Sequence, residues 1–182
     1  MHLLDRYLPT YQFSETHACL IAAEPTAILD NVVAYRPESD RFFRLMIGLR
    51  ELPMRLVGKP GAPSAPFGFH DFTLLGRNGN EIAYGLVGRF WRADFGLEPI
   101  ADGAAYLAFD ADHVAKLAMG FTAQRDPDGR TRLVTETRVS CASRAARLKF
   151  TPYWLLIRPV SGLVRRRMLA SIKSASEHAA RS

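Results

Sequence analysis

The sequence predicts an α+β fold, an antiparallel meander with a long helix laid across it. Three observations predict this. From Phe69 to Ser140 apolar residues alternate with polar ones, the period of a half-buried strand, and turn residues punctuate the run. From Ser143 to Ala180 the period becomes helical: Val160, Val164, Met168, Ile172, Ala175 and Ala179 follow one another at spacings of 4, 4, 4, 3 and 4. One strand pattern and two short helical patterns precede the meander. An antiparallel sheet with its helices grouped on one face satisfies all three.

In chain order, residues 1–10 read as a loosely held lead-in. Phe13–Ala22 reads as the first strand, with His17, Cys19 and Ile21 on one face. Glu24-Pro25 opens a helix, proline early and an acid at the positive end, with Ile28, Leu29, Val32 and Val33 apolar, and Arg36-Pro37 ends it. A second short helix spans about Glu38 to Leu49, with Phe42, Phe43, Leu45, Met46 and Leu49 on its buried side, and the proline- and glycine-rich Lys59–Phe67 is a loop.

Phe69–Leu75 and Glu81–Trp91 form a hairpin around Asn78-Gly79. Ala104–Phe109 reads as short and extended, Val114–Gln124 and Arg132–Ser140 as the last strands, separated by Asp126-Pro127-Asp128-Gly129. About six strands result. Ile82, Tyr84, Leu86 and Phe90 share a face, as do Ala115, Leu117, Met119 and Phe121, and Leu133, Thr135, Thr137 and Val139; all are expected beneath the helix. The opposite face, with Arg89, Lys116, Arg132, Glu136 and Arg138, is expected to be wetter. Gly85 and Gly88 inside a strand mark sheet curvature, the close approach of another backbone, or a ligand passing over.

Ser143 can cap the C-terminal helix. Thr151-Pro152 fits an N-cap and first helical position, and Pro159, followed by Gly162, is expected to kink or break the arm into two pieces at an angle. Arg165, Arg166 and Lys173 fall mostly on its outer side.

At 182 residues the chain is expected to form a single domain over residues 1–182 with a sizeable core. No run approaches the roughly 18 apolar residues of a membrane span. Met1-His2-Leu3-Leu4-Asp5 lacks the basic head and apolar core of a signal peptide, and only Cys19 and Cys141 are present, so free thiols and a cytoplasmic location are expected. The net charge of +6 is uneven: residues 130–182 carry 12 Lys+Arg against 2 Asp+Glu, while residues 1–129 balance to −4. That basic end is either a solvated face or a weak contact with anionic membrane through Arg165, Arg166 and Arg167; nucleic acid is not expected, since few exposed aromatics interleave the arginines.

The element order, with Gly85-Leu86-Val87-Gly88-Arg89-Phe90-Trp91, Thr135-Glu136-Thr137-Arg138-Val139 and Tyr153-Trp154 ahead of Arg158-Pro159-Val160-Ser161-Gly162, resembles the START-like proteins of the SRPBCC superfamily, the helix-grip or birch-pollen-allergen-like fold, and is similar to a bacterial group of unknown function within it. The resemblance spans roughly residues 11–178. It implies a sheet of seven strands gripping the long helix, and an apolar cavity between them that receives lipids, polyketides or other hydrophobic molecules. Some members are cyclases or dehydratases, and others only bind or carry. The superfamily has no shared catalytic motif to carry over.

Motifs narrow the chemistry. The five histidines, His2, His17, His70, His113 and His178, show no ligand spacing, so no metal is expected. There is no phosphate-cradling glycine loop and no Gly-x-Ser-x-Gly, and no cofactor is expected. The expected function is binding of a hydrophobic molecule in a pocket lined by Phe43, Tyr84, Leu86, Tyr106, Leu117, Met119, Thr135, Thr137 and Trp154. Thr135 and Thr137 are its inward polar pair, although threonine is also a good strand residue; Tyr153 and Trp154 suit core anchors as well as a ligand platform. A cyclase- or dehydratase-type enzyme using the same cavity, with Glu136, Arg89 or a tyrosine moving the proton, is the alternative, and a surface ion-pair cluster is the simpler role for Glu136, Arg138 and Arg89.

Overall fold

A computed structural model describes residues 2–36, 69–92 and 94–181. The expected second short helix, with Phe43 and its neighbours, and the loop after it lie outside the described residues. Within them, a five-stranded antiparallel sheet carries a long C-terminal helix, the α+β class expected, with five strands rather than six or seven.

The order is α1 (Leu3–Tyr7), β1 (Phe13–Ile21), α2 (Pro25–Ala34), a short 3-10 turn (Phe69–Asp71), β2 (Thr73–Arg77), β3 (Glu81–Gly88), α3 (Gly103–Ala108), β4 (Ala115–Arg125), β5 (Thr131–Cys141) and α4 (Arg144–Ala179). The sheet runs β1-β5-β4-β3-β2, so among the described residues β1 and β2 are its edges. The sixth expected strand is α3. Asp102 caps it, accepting from the Ala105 N–H at 2.8 Å, and Gly-Ala-Ala-Tyr-Leu-Ala is a helix-forming composition that an extended reading does not weigh.

The register fixes the inner face. Ile82, Tyr84 and Leu86 sit opposite Phe121, Met119 and Leu117, which sit opposite Thr135, Thr137 and Val139, which in turn face His17, Glu15 and Phe13. Alternation predicts three of these four rows. Ile82, Tyr84, Met119, Phe121 and Leu133 pack with Ile28, Leu29 and Val32 of α2 and with Met168, Leu169 and Ile172 of α4. At the other end Leu86, Phe90 and Val139 meet Phe150, Tyr153 and Trp154.

α4 is one helix of 36 residues running through Pro152 and Pro159, not two pieces. Ser143 is its cap, its Oγ accepting from the Ala146 N–H at 3.2 Å. Thr151 lies inside the helix and donates its hydroxyl to the Arg147 carbonyl at 2.8 Å, so it caps nothing. Magnitudes explain the continuity. Two interior prolines cost about 6 kcal/mol together, whereas burying Phe150, Tyr153, Trp154, Met168, Leu169 and Ile172 on the sheet contributes about 9–18 kcal/mol.

The opposite face is also a core, which corrects the expectation of a wet one. Leu4, Tyr7 and Leu8 cover it together with Tyr106 of α3, packing on Leu75, Ala83, Val87 and Ala118. Residues 3–8 are therefore pinned. Tyr7 donates its phenol to the Leu75 carbonyl at 2.5 Å, the Leu3 N–H donates to Glu81 at 2.8 Å, and Arg138 holds Asp5 at 2.7 Å. Gly88 marks a close backbone approach: a Cβ there would lie 2.9 Å from the Phe95 carbonyl oxygen.

Candidate functional site

β1 brings a polar pair into the apolar inner face. Strand alternation that turns Cys19 and Ile21 inward also turns His17 and Glu15 inward. His17 Nε2 and Glu15 Oε1 are 2.8 Å apart, with side chains only 16% and 9% exposed. Across the register His17 faces Thr135 and Glu15 faces Thr137. Thr135 is 1% exposed and its hydroxyl has no hydrogen-bond partner among the described residues, and Thr137 is also buried. An unpaired buried hydroxyl costs about 1–3 kcal/mol in desolvation, so this one is a place where a bound molecule's polar atom would be welcome.

α4 supplies the third component. Arg165 turns in, its guanidinium contacting Met119 Sδ, which corrects its placement on the outer side. Burial lowers Arg165 to about 10, opposed by the negative charge of Glu15, and it remains a cation at neutral pH. Gly162 lets the helix approach: a Cβ there would stand 3.0 Å from Glu15 Oε1 and 3.6 Å from the His17 ring. A groove of about 650 Å³ opens from this point to solvent, between the Ser14–His17 edge and Arg158, Pro159, Leu163 and Arg166.

The expected pocket residues divide. Tyr84, Leu86, Leu117, Met119, Thr135 and Thr137 share the inner face under α4. Trp154 stands at one end of that face in an aromatic cluster with Phe13 and Phe150, ring centroids 5.7 and 5.9 Å away. Tyr106 is not with them. It lies on the other face against Tyr7, with the Lys116 ammonium 4.7 Å from its ring centroid, and burial raises its phenol far above the ordinary range. Phe43 is outside the described residues.

Of the acid–base candidates of the sequence, Glu136 and Arg138 lie together and Arg89 lies apart. Glu136 and Arg138 are paired at 2.7 Å on the outer face, where Arg138 also clamps α1 through Asp5. Arg89 sits just beyond the far end of β3, paired with Glu98 at 3.3 Å. Cys19 is opposite Leu133, and Cys141 lies eight residues further along β5, about 26 Å at strand rise, so both thiols are free. Among the described residues no group of His, Cys, Asp and Glu could hold a metal ion, and no described helix is long and apolar enough to cross a membrane.

Glu15 was legible by extending by two residues the strand face that holds His17, Cys19 and Ile21. Arg165 had a fainter signal, standing three and four residues before the inward Met168 and Leu169.

No family model matches the chain, and no curated protein matches it. Among solved structures, a hypothetical protein from Helicobacter pylori aligns over 94% of this chain and 93% of its own, with a TM-score of 0.42 and 8% identity.

Proposed function

We propose that this chain is a START-like, helix-grip binding protein for a small amphiphile. Its ligand carries a carboxylate or similar anionic head, held by His17, the Thr135 hydroxyl and Arg165. An apolar body lies against Tyr84, Leu86, Leu117 and Met119. One observation carries the reading: Thr135 keeps an unpaired hydroxyl at 1% exposure, on the same sheet face as the Glu15–His17 pair and beneath a helix that presents a cation. An apolar side chain at 135 would fill the same volume without the desolvation cost, which supports a use for the hydroxyl. Arg158 and Arg166 at the groove bias entry towards anions. A mostly apolar surface with a few convergent polar groups is the usual composition of a small-molecule site.

The 2.8 Å Glu15–His17 contact supports a second reading, an enzyme in which Glu15 orients His17 for proton transfer. Native mass spectrometry of freshly purified protein, followed by solvent extraction of any adduct, tests the binding reading. An anionic amphiphile retained by the wild type and absent from Arg165→Met is the expected result. An adduct unaffected by that change refutes the assignment of the head group.

A further inference from the structure

We propose that the outer face of α4 docks this protein on an anionic phospholipid surface. The first half of that face is apolar where solvent should favour polar residues. Leu148, Leu155, Leu156 and Leu163 are 67%, 66%, 53% and 49% exposed, and Pro152 and Pro159 between them are exposed too. Positions 148, 152, 155, 159 and 163 follow one another at spacings of 4, 3, 4 and 4, so they line one stripe along the helix. The inner face of the same helix is already occupied by the sheet, so this stripe is not core.

Charge identifies the occupant. From Arg144 to Ser176 the chain holds eight Lys and Arg and no Asp or Glu. Arg144, Arg147 and Lys149 flank the exposed leucines, and all three are exposed. They sit in the first turns of α4, at the positive end of its macrodipole, where cations weaken a helix and acids would strengthen it. Their presence therefore has no account in the stability of the helix itself. A second copy of the chain fits poorly, because mating two such faces brings cations against cations with no acid to pair them. A soluble polyanion satisfies the cations and leaves the leucines in water. A headgroup layer of anionic lipid satisfies both, with the leucines entering the acyl boundary and the cations meeting phosphates. The α4 helix, about 54 Å long, would lie in the plane of the interface.

Co-sedimentation of the full chain with phosphatidylcholine vesicles, with and without phosphatidylglycerol, tests this. Binding is expected only with phosphatidylglycerol and should weaken as salt rises. Replacing Arg144, Arg147 and Lys149 together by Gln should weaken it about a hundredfold, and Leu148→Asn with Leu155→Asn by at least about tenfold. These side chains are exposed, so a thermal melt matching the wild type establishes that each variant is folded. Failure of the folded wild type to bind phosphatidylglycerol vesicles overturns the proposal. So does binding that ignores the leucine changes, or equal binding of soluble polyglutamate, either of which makes the face a general polyanion surface. A lipid-free dimer dissolved by Leu148→Asn with Leu155→Asn overturns it in favour of self-association.

Discussion

Replacing Thr135 by valine separates a ligand-binding hydroxyl from a structural one. The side chains are nearly the same shape and both suit a strand. In the free protein the hydroxyl is 1% exposed and unpaired, so its removal returns a desolvation cost and breaks no bond. An unsatisfied buried polar group costs about 1–3 kcal/mol, and the Thr135→Val change should stabilise the free protein by up to that amount. For a chain of this size each kcal/mol moves Tm by about 2–4 °C, so the melt should rise by up to roughly 2–12 °C. Affinity for an anionic amphiphile should fall about tenfold in the same variant, the loss of one hydrogen bond to a charged head. Differential scanning fluorimetry and a titration with 11-(dansylamino)undecanoic acid read the two effects. A Thr135→Val protein less stable than wild type by more than about 1 kcal/mol would refute the reasoning, since it would mean the hydroxyl already has a partner whose loss costs that much.

Three further predictions concern the scaffold. A Cβ on Gly103 would stand 2.4 Å from the Leu75 carbonyl oxygen and 2.8 Å from Tyr7, so Gly103→Ala should cost about 1–3 kcal/mol in urea unfolding; Gly79→Ala, with nothing within 4 Å, should be silent. Burial raises the Glu81 carboxyl, but hydrogen bonds from His2 and the Leu3 N–H overcome this and hold it below the ordinary 4.5. Its folded value is thus depressed, its contribution is complete above about pH 4.5 and is lost as pH falls through the native value, and Glu81→Gln should flatten the acid limb of the stability curve; an unchanged limb would remove Glu81 as its source. Burial pushes Cys141 up to about 11 and also raises Cys19, so at pH 7.5 iodoacetamide should label neither in the native protein while labelling both in urea.

Much of the sheet was legible because a period of two survives any error in strand ends. The rows through Tyr84, Met119 and Thr137 pair as alternation required. The misreadings share a cause, tertiary burial outweighing a local signal. Pro159 breaks an isolated helix, but this one lies on a sheet that holds it on both sides of the proline. The lead-in looked featureless because Leu4, Tyr7 and Leu8 show their purpose only against Ala83, Val87 and Ala118, far along the chain. The same faces made Arg138 appear exposed when it is buried beneath α1. The candidate site was half legible. Its apolar lining and its threonines followed from the pleat, whereas Arg165 needed the rotation of α4 about its axis, which the long stripe of Val160, Val164 and Met168 indicated less well than the pair Met168 and Leu169.

The most direct test of the amphiphile site is a long-range proton–nitrogen NMR titration of the histidine rings with 11-(dansylamino)undecanoic acid. The five histidines are dispersed in the sequence, and among the described residues His17 alone pairs with Glu15 and stands opposite Thr135, with Glu15 in turn acting on the charge of Arg165. Saturable shifts at the His17 nitrogens, with the other four rings unmoved and the effect abolished by Arg165→Met, are the predicted result. Binding of the acid with His17 unperturbed would contradict the account and place the ligand elsewhere.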